Sequence, residues 1–145
     1  APVYKSWGVA NRTALIRVPG YEKKARIEFR ATDGATNIYL ASALLLGAGL
    51  KGIERKIEPI EPTTANVEKL SEAQRKEIGI TKLPKSLDEA LDYFESSSFV
   101  KEILTPEIVD IFVEIKSKEL KEYQQVAKDE KSAIEWERKK YLLRA

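Results

Sequence analysis

Cysteine, histidine and methionine are all missing from this 145-residue chain. Without cysteine there is no disulfide framework and no thiolate metal site. Without histidine the commonest general base and metal ligand is gone. Any metal held here must then be a hard, oxygen-liganded ion such as Mg²⁺ or Mn²⁺. A long apolar run is missing too. The longest, Ile38 to Leu50, is interrupted by Ser42, Gly47 and Gly49. It falls short of the ~20 residues a membrane span needs and reads as a buried helix. The first ten residues lack the basic start and apolar run of a signal peptide. The expectation is a soluble, cytoplasmic protein with no membrane partner. The lack of methionine, with Ala1 already in strand-like sequence, reads as a fragment or an excised domain.

What is present suits one globular domain: 43% hydrophobic and 33% charged residues. The charge is unevenly spread. The net +2 conceals about +5 in residues 1–30, where Lys5, Arg12, Arg17, Lys23, Lys24, Arg26 and Arg30 face only Glu22 and Glu28. Positive charge gathered in one short stretch suggests an anionic ligand.

Residues 3–18 and 24–30 read as two strands of a hairpin, joined by a loop with a Pro19-Gly20 turn signal. The second strand alternates strictly. Arg26, Glu28 and Arg30 project to one face, and Ala25, Ile27 and Phe29 to the other, which is expected to pack on a core. Asn37 is a plausible cap for a helix from about Ile38 to Ile57, apolar nearly all round until Lys51 and so expected to be the core element. Gly47, Gly49 and Gly52 are expected to let another helix approach. Residues 58–70, with Pro59 and Pro62, read as an extended connector. Capping boxes are expected at Ser71–Gln74, Ser86–Glu89 and Ser132–Glu135, the last opening a helix that ends near Arg144. Thr105-Pro106 starts a helix running to about Val126, whose apolar face is Ile108, Ile111, Phe112 and Ile115. Trp136 and Tyr141 read as packing or assembly residues.

The informative feature is Arg26-x-Glu28-x-Arg30, preceded by Arg12 and Arg17. Guanidinium groups present a planar fork suited to phosphate and carboxylate. A glutamate among arginines either pairs with them or holds a divalent cation that bridges phosphate oxygens. The competing reading is a solvated sheet face with cross-strand ion pairs worth ~0–1 kcal/mol each. Nucleic acid is a poor fit. Between Arg12 and Arg30 the only aromatics are Tyr21 and Phe29, and Phe29 belongs to the core face, so no stacking platform emerges.

The wording around these residues resembles the glutamine synthetase family. The matches are Asn11-Arg12-Thr13-Ala14, Ile16-Arg17-Val18-Pro19 and Arg26-Ile27-Glu28-Phe29-Arg30. They continue through Asp33, Asn37 and Tyr39-Leu40 to Ala48-Gly49-Leu50-Lys51-Gly52-Ile53. About a third of the chain matches with spacing kept, far more specific than a short motif. The rest resembles the family more loosely, through Ser86–Leu91 and Glu135–Leu142. The resemblance implies an α+β fold: an antiparallel β hairpin from the family's catalytic sheet, then a mostly helical C-terminal region. Residues 1–35 would be active-site strands, 36–57 a core helix, and 58–145 the connector and C-terminal helices.

The activity implied is ATP-dependent ligation of ammonia to glutamate. The γ-carboxylate attacks the γ-phosphate to give γ-glutamyl phosphate, and ammonia then displaces phosphate. Arg12, Arg17 and Arg26 would contact phosphates, Arg12 nearest the transferred group. Arg30 would meet the glutamate end and the transferred phosphoryl, so Arg12 and Arg30 carry the catalytic roles. Glu28 would be a ligand of the Mg²⁺ or Mn²⁺ that bridges the nucleotide. The full-length form would be a homo-oligomer such as a dodecamer, with active sites between subunits. The family's N-terminal β-grasp domain and its other metal carboxylates would precede Ala1, so the isolated 145 residues are not expected to catalyse. Glu68 stands where some bacterial members carry a modified tyrosine, which argues against adenylylation and for the archaeal or Gram-positive-like branch. Two other readings remain: a paralogue joining glutamate to a polyamine, and a non-catalytic helical interaction module.

Overall fold

The apolar pattern of residues 3–18 suits one long strand, but the backbone takes another path. In a computed structural model of the chain, which describes residues 2–20 and 25–142, this stretch splits into three short strands. These are β1 (Tyr4–Lys5), β2 (Trp7–Val9) and β3 (Ile16–Val18). The break comes at Ala10, which holds a left-handed φ of 54°. It is completed by Asn11, whose Oδ1 accepts from the Thr13 backbone N–H at 2.9 Å. An Asx turn of this kind offers the backbone an alternative to a sheet ladder. The chain then doubles back. β2 and β3 lie parallel, Trp7 opposite Ile16 and Val9 opposite Val18. The connection is shorter than the dozen residues such a crossover ordinarily takes.

The hairpin itself is real. β3 pairs antiparallel with β4 (Glu28–Phe29), Ile16 opposite Phe29 and Arg17 opposite Glu28. β4 is shorter than the strand expected over 24–30, so Arg26 precedes it and Arg30 follows it. The face expected to be apolar is only half covered. Phe29 is partly buried, while Ile27 is 64% exposed. Tyr21 to Lys23 of the expected loop and Lys24 of the expected strand lie outside the described residues.

The chain divides into two compact units. The first comprises residues 1–36 and 50–83. Besides the β2–β3–β4 sheet it holds a two-stranded sheet in which β1 pairs antiparallel with β5 (Thr81–Lys82), together with α2 (Glu72–Glu77). Ala14, Leu15, Val67 and Ile80 are buried here. The connector is pinned to the strands: Thr63 N–H donates to the Trp7 carbonyl at 2.9 Å, and the Trp7 indole donates to the Ile60 carbonyl. Gly8 is required at this crossing, because a Cβ there would run into the Thr63 carbonyl. The Arg75 guanidinium lies 4.3 Å from the centre of the Tyr4 ring.

The second unit comprises residues 37–49 and 84–145. It holds most of α1 (Ile38–Glu54) with α3 (Leu87–Ser96), α4 (Ser98–Leu104), α5 (Pro106–Val126) and α6 (Glu130–Tyr141). Val100, Leu104 and Val109 form its buried centre, with Leu40, Ala43, Leu44, Phe94 and Phe99 packed around them. On α5 the buried residue is Val109, flanked by Phe112 against Phe94 at 4.9 Å. The expected face is therefore rotated: Ile108, Ile111 and Ile115 are exposed. Both arcs are apolar and share Phe112, and the position of α3 and α4 chooses between them. α6 folds back on α5 through an edge-to-face contact of Tyr123 and Trp136 at 5.4 Å, and Tyr141 donates its hydroxyl to Glu119 at 3.1 Å.

Helix ends follow local chemistry, with two shifts. Asn37 caps α1 as expected, accepting from Tyr39 and Leu40, and Ser71 with Gln74 forms a complete capping box. The box of α6 is Asp129–Ser132 rather than Ser132–Glu135. Asp129 accepts from the Ser132 N–H at 2.8 Å, while the Ser132 hydroxyl returns to the Asp129 backbone. An ionised acceptor makes the stronger cap and starts the helix earlier. α1 ends three residues before Ile57. Lys56 turns left-handed at φ 51°, and Ile57 N–H reaches back to the Gly52 carbonyl, a Schellman closure. None of α1 is fully buried; Leu45, Leu46, Leu50 and Ile53 are exposed. Its expected place as the core element holds only for Leu40, Ala43 and Leu44. Of the three glycines, only Gly47 admits a neighbour, Ile103, whereas Gly49 and Gly52 face open space among the described residues.

Candidate functional site

Across the β3–β4 ladder, Arg17 and Glu28 stand directly opposite each other. Opposed side chains in an antiparallel pair lie within contact distance. Arg17 Nη1 donates to Glu28 Oε2 at 2.8 Å, and Arg26 Nη2 donates to Oε1 of the same carboxylate at 3.2 Å. Each oxygen of Glu28 thus holds one guanidinium. The exposures grade outward: Arg17 is 20% exposed, Glu28 34% and Arg26 57%. The buried Nε of Arg17 finds no acceptor among the described residues.

The Arg17 hydrogen bond is the main reason the Glu28 carboxyl lies below its ordinary value; partial burial opposes it, and charge attraction from both arginines adds to it. Glu28 is therefore an anion throughout the neutral range. The sign of the consequence is fixed. A carboxylate whose pKa falls on folding stabilises the fold above its unfolded pKa, and that contribution is lost as pH falls through the folded value. We expect the stability gap between the parent and Glu28→Gln to be full above pH 4.5 and to close on further acidification. Denaturant titrations at a series of acidic pH values measure it. A gap that stays constant through that range contradicts the pairing.

Arg30 is held differently. Its N–H donates to the Leu15 carbonyl at 2.9 Å and its guanidinium to the Ala14 carbonyl at 3.3 Å. Arg12 lies in the turn between β2 and β3 and is exposed. Among the described residues no hydrogen bond or ion pair links it to the other four. The structure therefore joins Arg17, Glu28 and Arg26 in one cluster and seats Arg30 against the end of the Arg12 turn. It does not tie Arg12 itself to the cluster.

Asn11 and Thr13, which hold this turn, stand in the sequence signature without an assigned role. Asn11 Nδ2 donates to the Thr63 and Ala65 carbonyls at 2.8 and 2.9 Å, and its Oδ1 accepts both the N–H and the hydroxyl of Thr13. The Thr13 hydroxyl in turn accepts from the Val67 N–H at 3.1 Å. An asparagine two residues before a threonine is a legible Asx-turn signal. The partners at 63–67 are not legible, because they are more than fifty residues away.

The donor set suits a hard divalent ion only in part. Glu28 supplies ionised oxygen with lone pairs beyond those the arginines use. Among the described residues no group of three or more acidic side chains could complete such a site. No helix among them is long and apolar enough to cross a membrane.

This is an α+β chain whose β hairpin presents arginines around an ionised carboxylate. The family model described as "Glutamine synthetase, catalytic domain" matches residues 1–141, and the chain belongs to that family. Its curated relatives include the glutamine synthetase of Pyrococcus horikoshii, 47% identical over 98% of this chain and 33% of the relative. Those of Methanosarcina mazei and Methanococcus maripaludis are 45% and 43% identical, each over 98% of this chain and 31% of the relative. The chain thus spans about a third of the length of the curated relatives it matches.

Proposed function

We propose that this chain supplies the phosphate-facing hairpin of an ATP-dependent glutamate–ammonia ligase. The observation that carries the reading is the Arg17–Glu28–Arg26 cluster with its spare donor. A buried guanidinium N–H without an acceptor costs ~1–3 kcal/mol, a cost that an anionic oxygen offsets. Arg17 and Arg26 meet nucleotide phosphates, and Arg12, projecting from its turn, reaches the transferred group. Arg30 serves the glutamate end and the transferred phosphoryl. Glu28 is one ligand of a Mg²⁺ or Mn²⁺ ion, whose charge neutralises phosphate oxygens when bound. The remaining ligands come from outside the described residues.

The division of labour suits phosphoryl transfer, where catalysis is mostly positioning and neutralisation of the equatorial oxygens. The planar fork of a guanidinium matches the oxygens of a phosphate. The names of the relatives support the reaction, and the whole protein is read as a cytoplasmic homo-oligomer such as a dodecamer. The test is the full-length protein with ATP, Mg²⁺, glutamate and either ammonia or a polyamine. Glutamine and ADP formed in equal amounts with ammonia support the proposal. Turnover only with polyamines moves the chain to a paralogous ligase, and failure to bind ATP–Mg²⁺ removes catalysis altogether.

A further inference from the structure

Arg12 is an exposed side chain between two neighbours whose polar atoms are committed. Both donor positions of the Asn11 amide are used, on the Thr63 and Ala65 carbonyls, and its oxygen takes both Thr13 donors. An asparagine side chain has two N–H donors and two acceptor lone pairs, so Asn11 is saturated. The Thr13 hydroxyl carries the chain of bonds on to Val67 N–H, and Val67 is completely buried. On the other side of the turn Ala14 is also completely buried, and its carbonyl receives the Arg30 guanidinium. The turn is therefore clamped from the connector, from the sheet and from below, while Arg12 itself bonds to nothing among the described residues. A bland surface turn needs no such investment, and turns with exposed tips are ordinarily the mobile part of a sheet.

We infer that Asn11 and Thr13 are positioning residues that fix the Arg12 guanidinium for the transferred phosphoryl, with residues 63–67 as their anchor. This rests on the proposed ligase reading and extends it. A charged donor aimed at a transferring group acts through its geometry, and a misplacement of about 1 Å can cost ~10²-fold in rate. The supporting shell decides whether that geometry is held.

The experiment uses the full-length enzyme, with glutamate and ATP–Mg²⁺ as substrates. Thr13→Val keeps the shape, removes the hydroxyl link to Val67 and leaves the Asn11 bonds to residues 63 and 65 in place. Thr13→Ser keeps the hydroxyl, and Asn11→Ala removes the bonds to Thr63, Ala65 and Thr13 while leaving the Thr13–Val67 link. We expect Thr13→Val to lower kcat ~10-fold and Asn11→Ala up to ~100-fold. Glutamate KM should stay within about twofold, since the clamp serves the transition state rather than substrate capture. Thr13→Ser should return kcat to within about twofold of the parent, at an unchanged melting temperature. Parental kcat in Thr13→Val overturns the inference. So does a loss of kcat that only follows a lowered melting temperature, or one that Thr13→Ser fails to restore. If Asn11→Ala does not fold, Thr13→Val against Thr13→Ser decides alone. Arg12→Ala measured alongside separates the two levels. Parental turnover in that variant rejects the role of Arg12 itself. Its loss beside a fully active Thr13→Val rejects only the clamp.

Discussion

On the proposed ligase reading, Arg12→Ala in the full-length protein is expected to abolish measurable glutamine synthesis and to leave the fold intact. The size of the effect follows from what the side chain does. One charge-assisted hydrogen bond contributes ~1.5–3 kcal/mol, or roughly 10–150-fold in rate. An arginine aimed at the transferring phosphoryl group is worth more, ~10³–10⁵-fold, because its bonds strengthen as charge spreads over the equatorial oxygens. The fold is spared because Arg12 is exposed and the turn around it is held by Asn11, Thr13 and Ala14 rather than by the guanidinium. Steady-state synthesis and a thermal melt on the same preparation check both halves. Wild-type turnover in the variant rejects the assignment.

Glu28→Gln is expected to lose activity through metal and nucleotide instead, on the proposed role of Glu28 as a metal ligand. The amide keeps the shape of the carboxylate but removes its charge. Even an indirect partner of a metal ligand costs ~10–100-fold in affinity when changed, so a direct ligand is expected to cost ~10²-fold or more. Raising Mg²⁺ or Mn²⁺ should recover part of the lost rate, whereas no metal concentration rescues Arg12→Ala. The substitution also releases Arg17 and Arg26 from their shared anion. Arg17 is the more buried of the two and bears the larger consequence, because its Nε is already without an acceptor among the described residues. Activity against metal concentration for the two variants side by side is the measurement. A Glu28→Gln enzyme with parental metal dependence removes Glu28 from the metal site.

How much of this was legible beforehand depends on the range of the interaction. Asn37 and Ser71 cap their helices as their sequence context says, because a cap is a bond to the next turn. The Arg17–Glu28 register was approachable for the same reason: a two-residue periodicity places the charges, and a hairpin brings them together. The long strand over 3–18 was misread. Its aromatic and aliphatic residues suit a strand on either side, yet Asn11 and a left-handed Ala10 break it, and the gain that fixes the break lies in bonds to residues 63 and 65. The face of α5 was misjudged similarly. Ile108, Ile111 and Ile115 make a good stripe, but α5 has apolar residues on a wider arc, and a stripe says nothing about which side a neighbour occupies.

What the sequence alone determined was therefore local and chemical: the absence of thiols and imidazoles, the spacing of arginines around Glu28, most of the helix starts, and a signature dense enough to name a family. Tertiary structure alone decided the parallel doubling of β2 on β3, which half of α5 is buried, and the clamp that Asn11 and Thr13 make with the connector. The physical reason is loop closure. Contacts between residues many positions apart are selected by the packing of the whole unit, whose gain must exceed the entropy of bringing them together, and no local pattern encodes that balance.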